Sequence, residues 1–103
     1  MLRLKTLEDV RAFLRDNTMA VINGSATWCG PCPKALALAL EHRPSVAFAT
    51  FDVDEADDVA MALGVQAMPT FLFFLNASEV DRVEGADIRA VEAAVARLRK
   101  YAV

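Results

Sequence analysis

The sequence predicts a three-layer α/β domain in which β-strands alternate with α-helices. Short apolar runs typical of buried strands alternate with segments of helical spacing. Near the C-terminus two strand-like runs follow each other and precede a last helix, which completes the pattern of this class. The chain has 103 residues, of which 55% are hydrophobic and 24% charged, and this suits one core. We therefore expect a single domain over residues 1–103.

The N-terminal quarter is predicted to form a helix and then a buried strand. Thr6 and Asp9 are spaced as in a capping box, and apolar residues recur after them at helical spacing: Leu7, Val10, Phe13 and Leu14. Residues 19–22 are typical of a short strand. The dipeptide Asn23-Gly24 ordinarily favours a hairpin turn. Because residues 25–27 make a poor return strand and lead directly to a cysteine, we expect no hairpin there.

The middle of the chain contains a segment with conflicting signals. Residues 35–40 alternate Ala and Leu with period two, which favours a strand. Both residue types are strong helix formers, however, and none of the six is β-branched. We therefore predict a helix from about residue 31 or 32 to residue 43, which Pro44 ends. A strand is predicted at residues 46–53.

The C-terminal half is predicted to contain a helix, two strands and a final helix. Asp54 is expected to cap the first of these helices, and Gly64 to end it. Asp87 is expected to cap the last helix, whose apolar stripe is formed by Ile88, Val91, Val95 and Leu98. The two strands are expected at residues 70–75 and 79–84, with residues 76–78 as their connection.

Charge and hydropathy argue against nucleic acid and membranes as partners. The net charge is −3 and the basic residues are scattered, with one cluster at Arg97, Arg99 and Lys100. No apolar run approaches the roughly 18 residues that cross a bilayer. The N-terminal residues also lack the long apolar region of a signal peptide. We therefore expect a reducing, cytoplasmic location.

The segment Trp28-Cys29-Gly30-Pro31-Cys32 contains the only two cysteines of the chain. A structural disulfide stabilises most when it closes a long loop, so this close spacing favours redox chemistry. With Cys29 just before a helix and Cys32 in its first turn, the helix N-terminus would stabilise a thiolate. Zinc is the alternative, but zinc needs about four ligands and the chain adds only His42 and carboxylates. We interpret His42 as a solvated or helix-capping residue.

The chain resembles thioredoxin along essentially its full length. The motif from Ala26 to Cys32 is similar to the active-site signature of that family. Shorter matches follow in the same order and spacing: Asp52-Val53-Asp54, Val65 to Phe71, and Gly85-Ala86. The resemblance implies a thioredoxin fold, with a central mixed β-sheet flanked by α-helices. Thioredoxin is itself a standard example of CxxC reactivity and redox poise.

The resemblance also implies a reaction and a set of site residues. Cys29 would attack a substrate disulfide and Cys32 would resolve the mixed disulfide. The Met68-Pro69 peptide would be cis, and the residues that support the site or bind substrate would be Trp28, Gly30, Pro31, Asn23, Met68, Pro69, Gly85 and Ala86. No bound cofactor or metal is implied. Electrons would come from NADPH through a separate thioredoxin-reductase-like partner, and a monomer would act on disulfide-containing client proteins.

Several positions depart from the family pattern. Asn23 stands where thioredoxins usually have a buried Asp, and Gly24-Ser25 stands where they often have an aromatic pair. Thr50 replaces a Lys of the bacterial members. Because an amide cannot take a proton, we expect resolution by Cys32 to be slower, or to depend on a water or a substrate group. The alternative function is a thioredoxin-like protein-binding module or partner subunit with weak turnover.

Overall fold

The computed structural model describes residues 1–41 and 46–101, which form a five-stranded sheet with helices on both faces. The elements, in chain order, are β1 (Leu2–Arg3), α1 (Leu7–Asp16), β2 (Met19–Ser25), α2 (Cys32–Glu41), β3 (Ala47–Asp52), α3 (Asp57–Leu63), β4 (Thr70–Leu75), β5 (Ser78–Glu84) and α4 (Ile88–Tyr101). The strand order is β1-β3-β2-β4-β5. β1, β3 and β2 run parallel, whereas β4 is antiparallel to β2 and β5. The predicted central mixed sheet is confirmed.

Two apolar clusters cover the two faces of the sheet. α1 and α3 pack on one face, where they meet Ile22, Phe51 and Leu72. α2 and α4 pack on the other, where they meet Val21 and Phe73. The alternation of inward residues along each central strand follows from the period of two in a β-strand. Among the described residues, no helix has both the length and the apolar character needed to cross a membrane.

Several predicted boundaries and caps are confirmed. Thr6 and Asp9 form the capping box of α1. The pKa of Asp9 is lowered mainly by a hydrogen bond from the backbone N–H of Lys5 to its carboxylate. A second hydrogen bond, from the backbone N–H of Thr6, adds to this effect. Gly64 ends α3 in the left-handed conformation, and the Asp87 carboxylate accepts a hydrogen bond from the backbone N–H of Ala90 at 3.1 Å.

Other predictions are wrong in detail. β2 continues through Asn23 and Gly24, which pair with both neighbouring strands, to Ser25, which pairs with β3. β5 begins at residue 78, so the hairpin turn is the pair Asn76-Ala77, both with positive φ. β1, which the sequence analysis missed, has only two residues. The predicted end of α2 at residues 43 and 44, and the interpretation of His42, lie outside the described residues.

Asp54 does not cap α3, contrary to the prediction. α3 begins at Asp57 after Ala56, and no side chain caps it. The preceding turn is instead held by Asp52, whose Oδ1 accepts hydrogen bonds from the backbone N–H groups of Asp54 at 2.8 Å and Glu55 at 3.1 Å. The Asp52 carboxylate thus satisfies two backbone N–H groups in the turn after β3. The Asp54 side chain is therefore available for another contact.

The large side chain of Phe51 on β3 explains why the neighbouring position 24 on β2 is a glycine. Gly24 is paired in register with Phe51, whose ring lies over it. A Cβ at position 24 would lie 3.0 Å from Phe51 Cζ and 3.1 Å from Val65 Cγ1, which is too close for ordinary packing. The aromatic ring in this layer is therefore supplied by β3 rather than by β2.

The close contact between Phe51 and position 24 predicts that Gly24→Ala lowers the free energy of unfolding by about 1–3 kcal/mol through overpacking. In a Phe51→Leu background, which removes the crowding ring atom, the same substitution should cost clearly less. Urea unfolding of wild type, both single variants and the double variant measures this coupling. Additive losses in the double variant would contradict the proposed crowding.

Candidate active site

The two cysteines lie where β2 and β3 end, at the carboxyl edge of the parallel part of the sheet. In α/β proteins this edge is the usual place for a functional site. Ser25 ends β2, and its carbonyl accepts a hydrogen bond from the backbone N–H of Val53 at 2.9 Å. The loop then turns through a Cys29 N–H bond to the Ala26 carbonyl at 3.2 Å and delivers Cys32 to the first position of α2.

Cys29 and Cys32 are joined by a disulfide, with their Cα atoms 5.5 Å apart. Cys29 is 8% exposed and Cys32 3%, which is the predicted order, although the difference is small. Ala26, Val53 and Met68 pack around the pair. Because α2 has no acidic residue in its first turn, its positive end is free to stabilise a thiolate once the bond is reduced.

Trp28 is the large exposed side chain beside the disulfide, with 67% of its surface accessible. Its indole Nε1 donates a hydrogen bond to Asp54 Oδ2 at 2.9 Å. The carboxylate therefore fixes the ring while the ring face stays open to a partner. Asp54 is a site residue that the sequence analysis missed: it had noted Asp52-Val53-Asp54 only as a family match, and no local spacing relates residues 28 and 54.

Of the other predicted surface residues, Met68 packs against the cysteine pair. Met68-Pro69 is a cis peptide, as the resemblance implies. The Gly85 N–H donates to the Pro69 carbonyl at 2.7 Å, which joins the start of β4 to the end of β5. Gly85 has φ of 96°, a conformation that glycine adopts easily. Ala86 shares a groove of about 260 Å³ with Pro31, together with Lys34, Ala35, Leu38 and Ile88.

The family model for thioredoxin matches residues 4–97. The chain belongs to the thioredoxin family. Thioredoxin-1 of Saccharomyces cerevisiae is 39% identical to it over 98 residues, covering 91% of this chain and 94% of the yeast protein. The thioredoxin of Ophiophagus hannah is 38% identical over 100 residues, covering 92% of each. Among solved structures, oxidised mitochondrial thioredoxin 3 of S. cerevisiae is similar with a TM-score of 0.87 and 33% identity, covering 94% of both chains.

The thioredoxin relationship establishes the reaction class. Thioredoxins are protein-disulfide oxidoreductases, and this member has the cysteine pair at the corresponding position. It is therefore a thiol–disulfide oxidoreductase. Thioredoxins in general need no bound cofactor, and they act on disulfide-containing substrates with a reductase as partner. Over residues 1–41 and 46–101, no cluster of three or more His, Cys, Asp or Glu side chains is arranged to hold a metal ion.

Asn23, one of the departures from the family pattern that the sequence analysis expects, is a buried polar residue of β2. It lies fully buried in the centre of the sheet, and neither atom of its side-chain amide has a hydrogen-bond partner among the described residues. The nearby Thr50 hydroxyl donates to the Asn23 backbone carbonyl at 3.1 Å and not to the amide. An unsatisfied buried amide costs about 1–3 kcal/mol, so the position is not optimised for stability.

A cavity of about 280 Å³ lies next to Cys32, between the start of α2 and the sheet. We call it the Cys32 cavity. Most of its lining surface is apolar, and polar side chains from the sheet and the cysteine loop interrupt it. The lining residues are Arg3, Ser25, Ala26, Thr27, Cys32, Pro33, Leu36, Thr50, Phe51 and Asp52.

The Trp28–Asp54 hydrogen bond should matter for catalysis. Asp54→Ala removes the acceptor and frees the indole, so we expect the rate of protein-disulfide reduction to fall about fivefold, the equivalent of one modest hydrogen bond. Asp54→Asn retains an acceptor oxygen and is the matched control, with a rate near that of wild type. Steady-state kinetics combined with fluorescence anisotropy of Trp28, the only tryptophan, measure both effects. A mobile indole with an unchanged rate would contradict this role.

Proposed function

We propose that the protein reduces client disulfides, with Cys29 as the nucleophile and Cys32 as the resolving thiol. The observation that carries this assignment is the position of the pair at the start of α2, with Cys32 first in the helix and Cys29 in the more exposed preceding loop. The Cys29 thiolate attacks one client sulfur, and the other client sulfur leaves as a thiolate. The Cys32 thiolate then attacks Cys29 Sγ, which closes the intramolecular disulfide and releases the second client thiolate.

We propose that an exposed surface around Cys29 holds the client. Its members are Trp28, Gly30, Pro31, Met68, Pro69, Gly85 and Ala86. The fixed indole on one side of the sulfur and the groove shared by Pro31 and Ala86 on the other support this surface. Met68 lies in the segment just before β4, outside the ladders that begin at Thr70, so its backbone can pair with an extended client segment in the manner of a β-strand.

We also propose how the protein is recharged and where it works. A separate thioredoxin-reductase-like enzyme that draws on NADPH would reduce the disulfide, which makes this protein an electron carrier. The packing of both helix layers on one sheet supports a single domain over residues 1–103, and we propose that this domain acts as a monomer. A CxxC pair as the only cysteines supports a reducing cytoplasmic compartment. Because one similar structure is a mitochondrial thioredoxin, localisation should be tested against both compartments.

Cys32→Ser should trap the client on Cys29. Without the second thiol the mixed disulfide cannot be resolved, so a covalent adduct should accumulate when the reduced variant meets a protein disulfide. Mass spectrometry of the intact adduct and its peptides identifies the attached cysteine. Cys29→Ser is the matched control and should form no adduct. A stable adduct on Cys32 in that control would reverse the assignment of the two thiols.

Asn23→Asp should change the pH dependence of the resolving step, because the introduced carboxyl can accept the Cys32 proton. Burial without a partner raises the pKa of that carboxyl, so the folded state binds the proton more tightly than the unfolded state. The variant should thus be about 1–3 kcal/mol less stable than wild type near pH 7, and the loss should disappear as the pH falls below about 4. Rapid kinetics and urea unfolding across pH measure both effects. A resolution rate unchanged at every pH would refute the proposed effect of Asn23.

A further inference from the structure

The strand register places a second set of polar groups beside Cys32. Ser25 of β2 is paired in register with Asp52 of β3, and Asn23 with Thr50. In-register neighbours on paired strands point to the same face, and residues two apart share that face. All four therefore lie on the face that α2 covers, as do Val21 and Phe48 in the α2–α4 cluster. Of the four, Ser25, Thr50 and Asp52 line the Cys32 cavity.

Asp52 is the one buried carboxylate among the residues that the structure describes, with 8% of its surface exposed. Its Oδ1 is occupied by two backbone N–H donors, those of Asp54 and Glu55. Within residues 1–41 and 46–101 its Oδ2 accepts no hydrogen bond. Two backbone bonds fix the carboxylate at the wall of a cavity that it shares with Cys32, and one oxygen remains free to receive a proton.

We propose that Asp52 accepts the proton of the Cys32 thiol through water in the Cys32 cavity, and so performs the task that Asn23 cannot. Asp52 is a positioning residue, because it acts on the thiol through water. The cavity can hold water for this relay: Ser25, Thr50 and Asp52 supply hydrogen-bonding side chains within a lining that is mostly apolar, and its 280 Å³ exceeds the roughly 30 Å³ that one water occupies in the liquid. This inference rests on the proposed function, in which Cys32 is the resolving thiol.

The step balances within the protein and the mixed disulfide. The proton leaves Cys32 Sγ for water, and water passes a proton to Asp52 Oδ2. The electron pair left on Cys32 Sγ forms the bond to Cys29 Sγ, while the Cys29–client bond breaks and its pair departs on the client sulfur. The protein dithiol is oxidised and the client disulfide is reduced. Asp52 then returns its proton to solvent through the same cavity.

The charged groups near Asp52 are engaged elsewhere, so its carboxylate can accept a proton. Arg3 of β1 is the other charged residue that lines the cavity, and its guanidinium pairs with Glu55 at 3.4 Å. Asp54 is engaged by the Trp28 indole. On the helix side, the first turn of α2 has no acidic residue, and Lys34 lines the groove with Ala86 instead.

A purely electrostatic role for Asp52 makes the opposite prediction. A carboxylate near a thiol disfavours the thiolate, so removal of its charge would by itself speed the attack by Cys32. A proton-accepting role predicts that removal slows the attack near neutral pH. The direction of the change therefore distinguishes the two roles.

The test uses the reduced full chain and dithiobis-nitrobenzoate, an aromatic disulfide whose released thiolate is coloured. Attack by Cys29 releases one coloured thiolate at a rate that rises with reagent concentration. Attack by Cys32 releases the second at a rate that does not. In Asp52→Asn, which retains the Oδ1 acceptor, the second phase should slow about tenfold at pH 7 and recover towards pH 9, where the thiol ionises unaided. The first phase should change less than about twofold, since Asp52 has no part in that step.

Two further variants separate the possible outcomes. Asp57→Asn removes a carboxylate from the exposed start of α3 and should leave both phases as in wild type. Ser25→Val fills part of the cavity, retains Asp52 and should slow only the second phase. A second phase that is unchanged or faster in Asp52→Asn, or unchanged in Ser25→Val, would overturn the role of Asp52. If wild type instead lacks the first phase, the assignment of Cys29 fails and the proposed function fails with it.

Discussion

The parallel pairing of β2 with β3 determines where the chemistry of this protein takes place. β2 is held along its length by β3 on one side and β4 on the other, so its carboxyl end cannot shift without breaking two ladders. The cysteine loop leaves from that end and immediately enters α2, while β3 ends beside it with two carboxylates. The disulfide and the neighbouring Trp28 indole therefore lie close to the acidic turn, although 26 positions separate Trp28 from Asp54.

Much of the fold could be predicted because local signals agreed with the tertiary arrangement. The capping box at Thr6 and the apolar segment 70–75 each carry their signal within a few residues. Segment 35–40 shows that residue propensity can outweigh apparent periodicity, since α2 buries Ala35 and Ala39 at helical spacing. The active-site cysteines could be predicted equally well, because the short spacing of two thiols in one motif itself indicates redox chemistry.

The remaining features depend on contacts that no local pattern records. The glycine at position 24 makes sense only once its register with Phe51, 27 positions later, is known. Asp54 was predicted to cap a helix because Asp often does, whereas Asp52 satisfies the local backbone and Asp54 binds the indole. Sequence reasoning could infer that Asn23 removes a base, but the carboxylate that replaces it could be identified only from the cavity that it shares with Cys32. Gly24 and the proposed role of Asp52 thus both depend on the register between β2 and β3.

The central claim is that this site turns over as a disulfide reductase without a carboxylate at position 23. Reduction of insulin disulfides, with dithiothreitol as the electron source, tests it most directly. We expect wild type to reduce insulin many times faster than dithiothreitol alone. A wild-type rate no higher than that of dithiothreitol alone would contradict the account and indicate a thioredoxin-fold protein that binds partners with little turnover.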